Sequence, residues 1–191
     1  VYTWSPLHDQ AGLLQLMGGA EKYDSKLDQH FSGGHNVHNN EPSHHYGYLY
    51  DFGGQPWKTQ AMVRKIAVKE YDATPGGLDG DDDCGQMSSW LLFTAMGFYP
   101  VNPASGDYMI GSPMLPEIAL TLANGKTFRV EAAGNSAQNV YIQSVTLNGK
   151  PLDIPVITWE QIQAGGTLRF VMGPNPSGWA SQWRPSLIVS N

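Results

Sequence analysis

Hydrophobic residues recur every three or four positions over the first hundred residues, a spacing that predicts α-helices. Pro42 and Pro56 suit first turns, and Gly18-Gly19 stops the first helix. Five helices are predicted, at residues 8–17, 20–31, 42–53, 56–71 and 86–98. Helices in succession joined by glycine-rich loops resemble an α/α toroid or a helical repeat array, and five are too few to close a toroid alone.

After residue 106 the pattern changes to short runs of alternating or β-branched apolar residues, which predict strands. Six strands are predicted, at residues 108–110, 118–122, 128–132, 141–147, 156–158 and 168–172. Hairpin-type turn signals separate them: Asn124-Gly125, Asn148-Gly149 and Gly165-Gly166. The predicted fold is therefore α+β, with toroid helices over residues 1–101 and antiparallel β-sandwich strands over residues 102–191.

An acidic loop lies just before the fifth helix and carries four aspartates within five positions: Asp79, Asp81, Asp82 and Asp83. A capping box, with Asp83 at the N-cap and Gln86 at N3, accounts for one or two of them. An EF-hand loop is excluded, because Cys84 stands where that loop needs glycine and Trp90 where it needs glutamate. The remaining charge indicates a functional carboxylate cluster.

Residues 33–45 form a second polar stretch, with four histidines, three asparagines and Glu41. Loops on one rim of a toroid converge, so this stretch is expected to meet the acidic loop. Oxygen donors favour calcium or magnesium over zinc, and H-E-x-x-H is absent. Structural explanations stay open: Asn40 as an N-cap, and His44 or His45 packed within a helix. His8-Asp9 has two equally weighted interpretations, Asp9 as an N-cap or both residues in a site.

Composition and net charge indicate which classes of partner this chain can bind. The net charge is −6 with no basic cluster, which disfavours nucleic acid and anionic membranes, and no apolar run is long enough to span a membrane. Low charge with many aromatic and amide residues suits a neutral, hydroxyl-rich ligand such as a sugar. Cys84 is the single cysteine, so no internal disulfide is possible. The start at Val1 has no signal-peptide pattern, and we expect the chain to be cut from a longer protein.

Several segments together resemble glycoside hydrolase family 92, the calcium-dependent, inverting exo-α-mannosidases. The motifs stand in the family's order and cover nearly the whole chain: residues 40–45 (NEPSHH), 54–60 (GQPWKTQ), 80–90 (GDDDCGQMSSW), 96–101 (MGFYPV), 108–113 (YMIGSP), 141–144 (YIQS) and 147–150 (LNGK). The resemblance implies the C-terminal part of a longer enzyme. Its helices would be the last of an (α/α)6 toroid, and its partners the remaining helices and an N-terminal β-sandwich.

The resemblance also implies roles for individual residues. Asp83 would be the base that activates water, with Asp81 assisting. Asn40, Glu41 and Asp83 would bind calcium, which in the family contacts the mannose 2- and 3-hydroxyls. The predicted substrate-binding residues are Glu41, His44, His45, His8 and Asp9. The substrate would be a mannose-containing glycan, and the location periplasmic, secreted or on the cell surface.

The chain departs from the family at the general acid. Glycoside hydrolysis by inversion uses one carboxylic acid and one carboxylate base. The family's acid is the glutamate of a Glu-Gly motif, and none of the six glutamates here precedes a glycine. The isolated chain is therefore expected to be catalytically incomplete. The alternative hypothesis is a calcium-dependent carbohydrate-binding module without hydrolytic activity.

Overall fold

The computed structural model describes residues 2–186, in which helices and strands follow the predicted α+β order. The α-helices are α1 (Gln10–Leu16), α2 (Ala20–Ser32), α3 (Tyr50–Gly53), α4 (Pro56–Lys69), α5 (Gln86–Met96) and α6 (Trp159–Gln163). Four 3-10 turns lie at Tyr2–Trp4, Glu41–Ser43, Tyr46–Tyr48 and Asp83–Gly85.

The predicted third helix, residues 42–53, is wrong as a continuous element. The structure has two 3-10 turns, Glu41–Ser43 and Tyr46–Tyr48, and then the single turn of α3. Every residue from Ser43 to Asp51 is buried, so tertiary packing decides the backbone here rather than a one-sided helical face. The fifth helix also ends two residues early, because Gly97 adopts a left-handed φ of 94° as its C-cap.

The strands are β1 (Phe98–Tyr99), β2 (Asp107–Ile110), β3 (Glu117–Thr121), β4 (Thr127–Ala133), β5 (Tyr141–Leu147), β6 (Lys150–Pro151), β7 (Val156–Thr158) and β8 (Gly166–Gly173). They form a three-stranded sheet, β1-β2-β7, and a five-stranded sheet, β3-β4-β8-β5-β6. All six predicted strands are present, and within residues 2–186 the sequence patterns missed the two-residue strands β1 and β6, the short helix α6 and the 3-10 turns.

Two of the three turn signals are hairpins. Asn148 and Gly149, with φ of 52° and 77°, join the antiparallel pair β5 and β6 as the Asn-Gly pattern predicts. Gly165-Gly166 instead links α6 to β8, and β8 runs parallel to β4. The larger sheet is therefore mixed, whereas the other pairs within the two sheets are antiparallel.

Two buried clusters divide the interior. One lies among the helices and includes Trp4, Tyr23, Tyr48 and Trp90. The other lies between the sheets and combines residues such as Phe98 and Ile157 from the smaller sheet with Phe128, Val130 and Phe170 from the larger. A core shared by two sheets is the arrangement of a sandwich. The domain boundary near residue 101 stays a prediction.

Helix α4 ties the helices to the larger sheet through two buried side chains. Gln60 Oε1 accepts the Ile142 backbone N–H at 2.9 Å, at the start of β5. Arg64, 9% exposed, donates through Nη2 to Ser136 O at 2.8 Å and through Nη1 to Pro113 O. Both carbonyls belong to loops of the strand region, so Arg64 crosslinks the two regions of the chain.

Removing the Arg64 guanidinium should destabilise the protein because the buried Pro113 carbonyl and the half-buried Ser136 carbonyl would lose their donor. We expect Arg64→Met to lower the free energy of unfolding by about 2–3 kcal/mol. Arg129→Met is the matched control, since Arg129 makes an exposed pair with Glu117 and such pairs contribute about 0–1 kcal/mol. Thermal unfolding of both variants measures the difference, and equal effects would contradict a crosslinking role for Arg64.

A buried carboxyl, Asp24 on α2, makes stability depend on pH. The side chain is 2% exposed, and burial raises its pKa to about 6 although Lys58 and the Gln55 N–H donor at 2.8 Å oppose the shift. The charged form is therefore penalised in the folded state. This cost is absent below the unfolded pKa of about 4, grows as the pH rises, and is complete above about pH 6.

Asp24→Asn removes that cost and should therefore stabilise the protein at pH 7, by about 1–2 kcal/mol once partial screening is allowed for. The gain should vanish below pH 4. Asp28→Asn is the control, because Asp28 lies on the same helix, is exposed, and pairs with Lys58 at 2.6 Å. It should give a slight loss at pH 7. The measurement is the unfolding midpoint of both variants at pH 4 and pH 7. An effect of Asp24→Asn that does not change with pH would contradict a raised pKa of Asp24.

Candidate functional site

The two polar loops meet. Gly80 of the acidic loop lies so close to the backbone of Asn39 that an added Cβ would stand 2.2 Å from Asn39 O. Only glycine allows this approach. An open depression of about 410 Å³ results, lined by Asn39, Asn40, Gly80, Asp81 and Asp83. The structure thus brings together residues that are at least forty positions apart in the sequence.

The carboxyl group of Glu41 lies beside that of Asp83, which lines this depression. The pKa of the Asp83 carboxyl is raised, first by a hydrogen bond with Glu41 and then by the negative charge of Glu41, with smaller effects of burial, Asp81 and Asp82. Two adjacent acids share a proton or attract a cation because both cannot ionise without repulsion. The pair can therefore hold a proton, accept one from a bound water, or bind a positive ion.

The backbone around Asp83 is unusual. Asp83, Cys84 and Gly85 all have positive φ, at 38°, 59° and 89°. Left-handed backbone is sparsely populated by residues other than glycine, although aspartate tolerates it better than most. Consecutive strained residues cluster at functional sites. The turn sets Asp83 apart from the helix that follows it.

The predicted capping box of Asp83 and Gln86 is wrong, because the left-handed turn makes Gly85 the N-cap of α5. Asp82 takes the capping role. Its carboxylate accepts the Ser88 backbone N–H at 2.9 Å and the Ser88 hydroxyl at 2.7 Å, and these bonds lower its pKa. One of the four aspartates is thus explained by the helix end. Asp81 and Asp83 remain exposed at the depression.

His44 and His45 are buried and do not line the depression. Their side chains are 2% and 5% exposed. His45 Nε2 is 2.8 Å from Trp4 O, and burial lowers its pKa to about 4. His44 Nε2 is 3.0 Å from His38 O, and burial lowers its pKa as well. Both rings are therefore neutral at pH 7, and their role as substrate ligands stays a prediction.

His8 and Asp9 line a different cavity, of about 380 Å³, beside Phe52 and Trp183. This cavity shares no lining residue with the depression at Asp83. Asp9 is the N-cap of α1, since its Oδ1 accepts the Gly12 N–H at 2.8 Å. The capping interpretation of Asp9 is confirmed, and a role of either residue in substrate binding stays a prediction.

The ligand preference of calcium can be compared with the oxygen donors that the two loops provide. Glu41 and Asp83 offer carboxylate oxygens, and Asn40 offers an amide oxygen that already accepts the Glu41 N–H at 3.1 Å and keeps a second lone pair. These are the hard donors that Ca²⁺ prefers, but it takes six to eight of them. Within residues 2–186, no group of three or more His, Cys, Asp or Glu side chains could hold a metal ion. The donors fit calcium in kind, but they would supply only part of its ligand shell.

Sequence patterns overlooked Asn39 and Gly80, which bring the two loops into contact. Asn39 stood inside the polar stretch and Gly80 between two aspartates, so composition pointed to their neighbourhood. Their backbone contact is a tertiary property that spacing does not report.

Comparison with known proteins gives the family. A family model described as "Glycosyl hydrolase family 92 catalytic domain" matches residues 1–174. The chain belongs to glycosyl hydrolase family 92. A protein of Arthroderma benhamiae named "Uncharacterized secreted glycosidase" is 32% identical over 177 residues, which cover 91% of this chain and 23% of that protein.

Solved structures of the family have the same fold. A GH92 alpha-mannosidase of Bacteroides thetaiotaomicron is 38% identical with a TM-score of 0.92, over 98% of this chain and 26% of its own. The complex of a family GH92 alpha-mannosidase of B. thetaiotaomicron with mannoimidazole is 37% identical with a TM-score of 0.91, over 98% of this chain and 27% of its own. A GH92 inverting mannosidase of B. thetaiotaomicron VPI-5482 is 37% identical with a TM-score of 0.87, over 96% of this chain and 29% of its own.

The chain therefore spans about a quarter of the length of these relatives. The resemblance read from the motifs is confirmed at the level of the family and the α+β fold. In the part of the chain from residue 2 to 186, no helix is long and apolar enough to cross a membrane.

Proposed function

We propose that this chain is the C-terminal part of an α-mannosidase and supplies the base side of its active site. The observation that carries the proposal is the hydrogen bond between the carboxyl groups of Glu41 and Asp83, with Asp83 lining the depression at which the two loops converge. The substrate is a mannose-containing glycan. This follows from the family and from relatives described as mannosidases, one of them in complex with mannoimidazole.

Asp83 is the general base. It is exposed at the depression, so a water molecule has access to it, and its neighbour Glu41 raises its affinity for a proton. A base that removes a proton from water during attack on the sugar leads to inversion, which agrees with a relative described as an inverting mannosidase. Asp81 lies at the same depression and assists by adding negative charge that strengthens the base.

Calcium binds at Asn40, Glu41 and Asp83 in this proposal. When bound, the ion supplies a fixed positive charge that favours ionised carboxylates and offers coordination positions for sugar hydroxyl groups. The residues of this chain hold only part of the shell, so water, substrate or the rest of the parent enzyme completes it.

The general acid comes from outside this chain. The remaining toroid helices and an N-terminal β-sandwich of the parent enzyme are therefore its partners, and residues 1–101 and 102–191 are the parts that join the toroid and the sandwich. The enzyme works in the periplasm, at the cell surface or outside the cell, in keeping with a relative that is named a secreted glycosidase.

The decisive experiment compares the full-length protein with the isolated chain on an α-mannoside, with added calcium and with chelator. We expect calcium-dependent turnover by the full-length protein, with β-mannose as the first product in an NMR time course. The isolated chain should bind calcium without turnover. Turnover by the isolated chain would place an acid within it, with Glu41 as the first candidate. Sugar binding without turnover, even at full length, would favour a carbohydrate-binding module.

A further inference from the structure

Gln86 connects the two turns that carry the acidic pair. It is the first residue of α5, and its backbone N–H donates to Asp82 O at 2.7 Å, directly beside the strained turn of Asp83. Its side-chain Nε2 lies 3.2 Å from His44 Nδ1 and 3.0 Å from Tyr99 Oη. His44 in turn closes the Glu41 turn, since its backbone N–H donates to Glu41 O at 3.1 Å.

The hydrogen-bond pattern fixes the protonation of His44. His38 O can only accept, so His44 Nε2, at 3.0 Å, must carry the proton. The Gln86 amide nitrogen can only donate, so His44 Nδ1, at 3.2 Å, is the acceptor and carries no proton. The second N–H of that amide is then available to Tyr99 Oη. Both donors of Gln86 therefore have partners, and the amide orientation is fixed by the network rather than by one contact.

The same network continues through α5. Trp90 Nε1 donates to His44 O at 2.7 Å, so His44 is attached to α5 through both its ring and its backbone. Tyr99 is 8% exposed and stacks on Tyr48 with ring centroids 5.2 Å apart, which makes it a rigid anchor for Gln86. Gln86 does not line the depression. It acts on the site through His44 and the turn that follows Asp83.

We propose that Gln86 is a positioning residue, which through its bonds to His44 and Tyr99 holds the Glu41 turn at a fixed place against the Asp83 turn. The inference rests on the proposed hydrolytic function. Glu41 and Asp83 lie on separate loops, and their relative position needs a crosslink because Asp83 sits on exposed, strained backbone. Misplacement of a reacting group by about 1 Å can cost about a hundredfold in rate.

The test uses Gln86→Met in the full-length protein, which keeps the side-chain length and removes both N–H donors. We expect kcat on an α-mannoside to fall about 10–100-fold with KM changed less than about threefold. Gln60→Met is the control, because Gln60 is a buried glutamine in a helix whose bond to the Ile142 backbone lies at the sheet, away from the two loops. It should lower the unfolding midpoint and leave kcat per folded molecule unchanged.

A second variant, His44→Gln, keeps a donor for His38 O and loses the acceptor that faces Gln86. If the two residues act through each other, their effects should not multiply. The kcat of the double variant His44→Gln with Gln86→Met should then lie within about threefold of the kcat of the slower single variant. Should Gln86→Met fail to fold, Tyr99→Phe removes one partner of the amide at little change in volume and should show the same kcat-specific loss, about three- to tenfold.

The outcomes separate the two proposals. Loss of activity in Asp83→Asn with unchanged kcat in folded Gln86→Met would overturn the positioning role and leave the hydrolytic function standing. Multiplicative losses in the double variant, or an equal kcat loss in Gln60→Met, would also overturn it. Full activity in Asp83→Asn would instead overturn the hydrolytic function from which the positioning role is argued.

Discussion

Replacing Asp83 with asparagine is expected to lower kcat for α-mannoside hydrolysis by the full-length protein about 10³–10⁴-fold, with KM within about threefold of wild type when calcium is saturating. The amide has the shape of the carboxylate but cannot take a proton from water. Asparagine also tolerates left-handed backbone, so the φ of 38° at this position is kept, whereas alanine would add strain. The variant therefore removes the base and preserves the turn.

Stability provides an internal check on the same variant. Asp83→Asn removes one of two adjacent negative groups, so the unfolding midpoint should not fall. Asp79→Asn is the control, since Asp79 is an exposed aspartate of the same loop that does not line the depression. It should retain wild-type kcat. Equal losses in both variants would mean that the loop needs only its overall charge, and full activity of Asp83→Asn would exclude it as the base.

The helices and strands were predictable because their patterns are local. Pro56 starts α4, Gly18-Gly19 ends the first helical segment, and Asn148-Gly149 turns β5 into β6 as the sequence indicates. The same patterns wrongly predicted a continuous helix over residues 43–51, where every residue is buried. A segment whose residues are all buried has no amphipathic period, so its 3-10 turns follow from packing that only the tertiary structure reveals.

The candidate site was located from the sequence more completely than it was explained. Clusters of like-charged and polar residues marked both loops, and the structure joins them at Gly80 and Asn39. The division of labour among the aspartates was not predictable. It depends on positive φ at Asp83 and Cys84, which moves the capping role to Asp82 and frees Asp83. Capping rules assume ordinary backbone before the helix, and strain at a functional turn breaks that assumption.

The histidines show a second way in which sequence reasoning about the site falls short. His44 and His45 looked like site residues because they belong to a dense polar run, but their rings bond to backbone carbonyls in the interior. Polar composition does not separate a side chain that binds ligand from one that holds the loop carrying it. Gln86 was equally hidden, since a helix-start glutamine is ordinary and its partner His44 lies forty-two positions away.

Removing the Glu41 carboxylate should weaken calcium binding by the full-length protein at least about tenfold, because affinity at oxygen sites depends on the number of charged ligands. Glu41→Gln keeps the side-chain length, and the turn is preserved since the Glu41 N–H still donates to Asn40 Oδ1. Glu70→Gln is the matched control, as Glu70 pairs with Lys69 at 2.6 Å at the end of α4, away from the depression.

Titration calorimetry with calcium alone, without substrate, measures the effect independently of turnover. Asp83→Asn should weaken binding to a similar degree, and Asn40→Ala should weaken it less, because an amide oxygen carries no formal charge. Unchanged affinity in Glu41→Gln would remove it from the ligand set and leave its contact with Asp83 as a proton-sharing pair. Similar losses of calcium affinity in Glu41→Gln and Asp83→Asn would instead mean that one cation binds both carboxylates. Two adjacent acids on converging loops favour this arrangement.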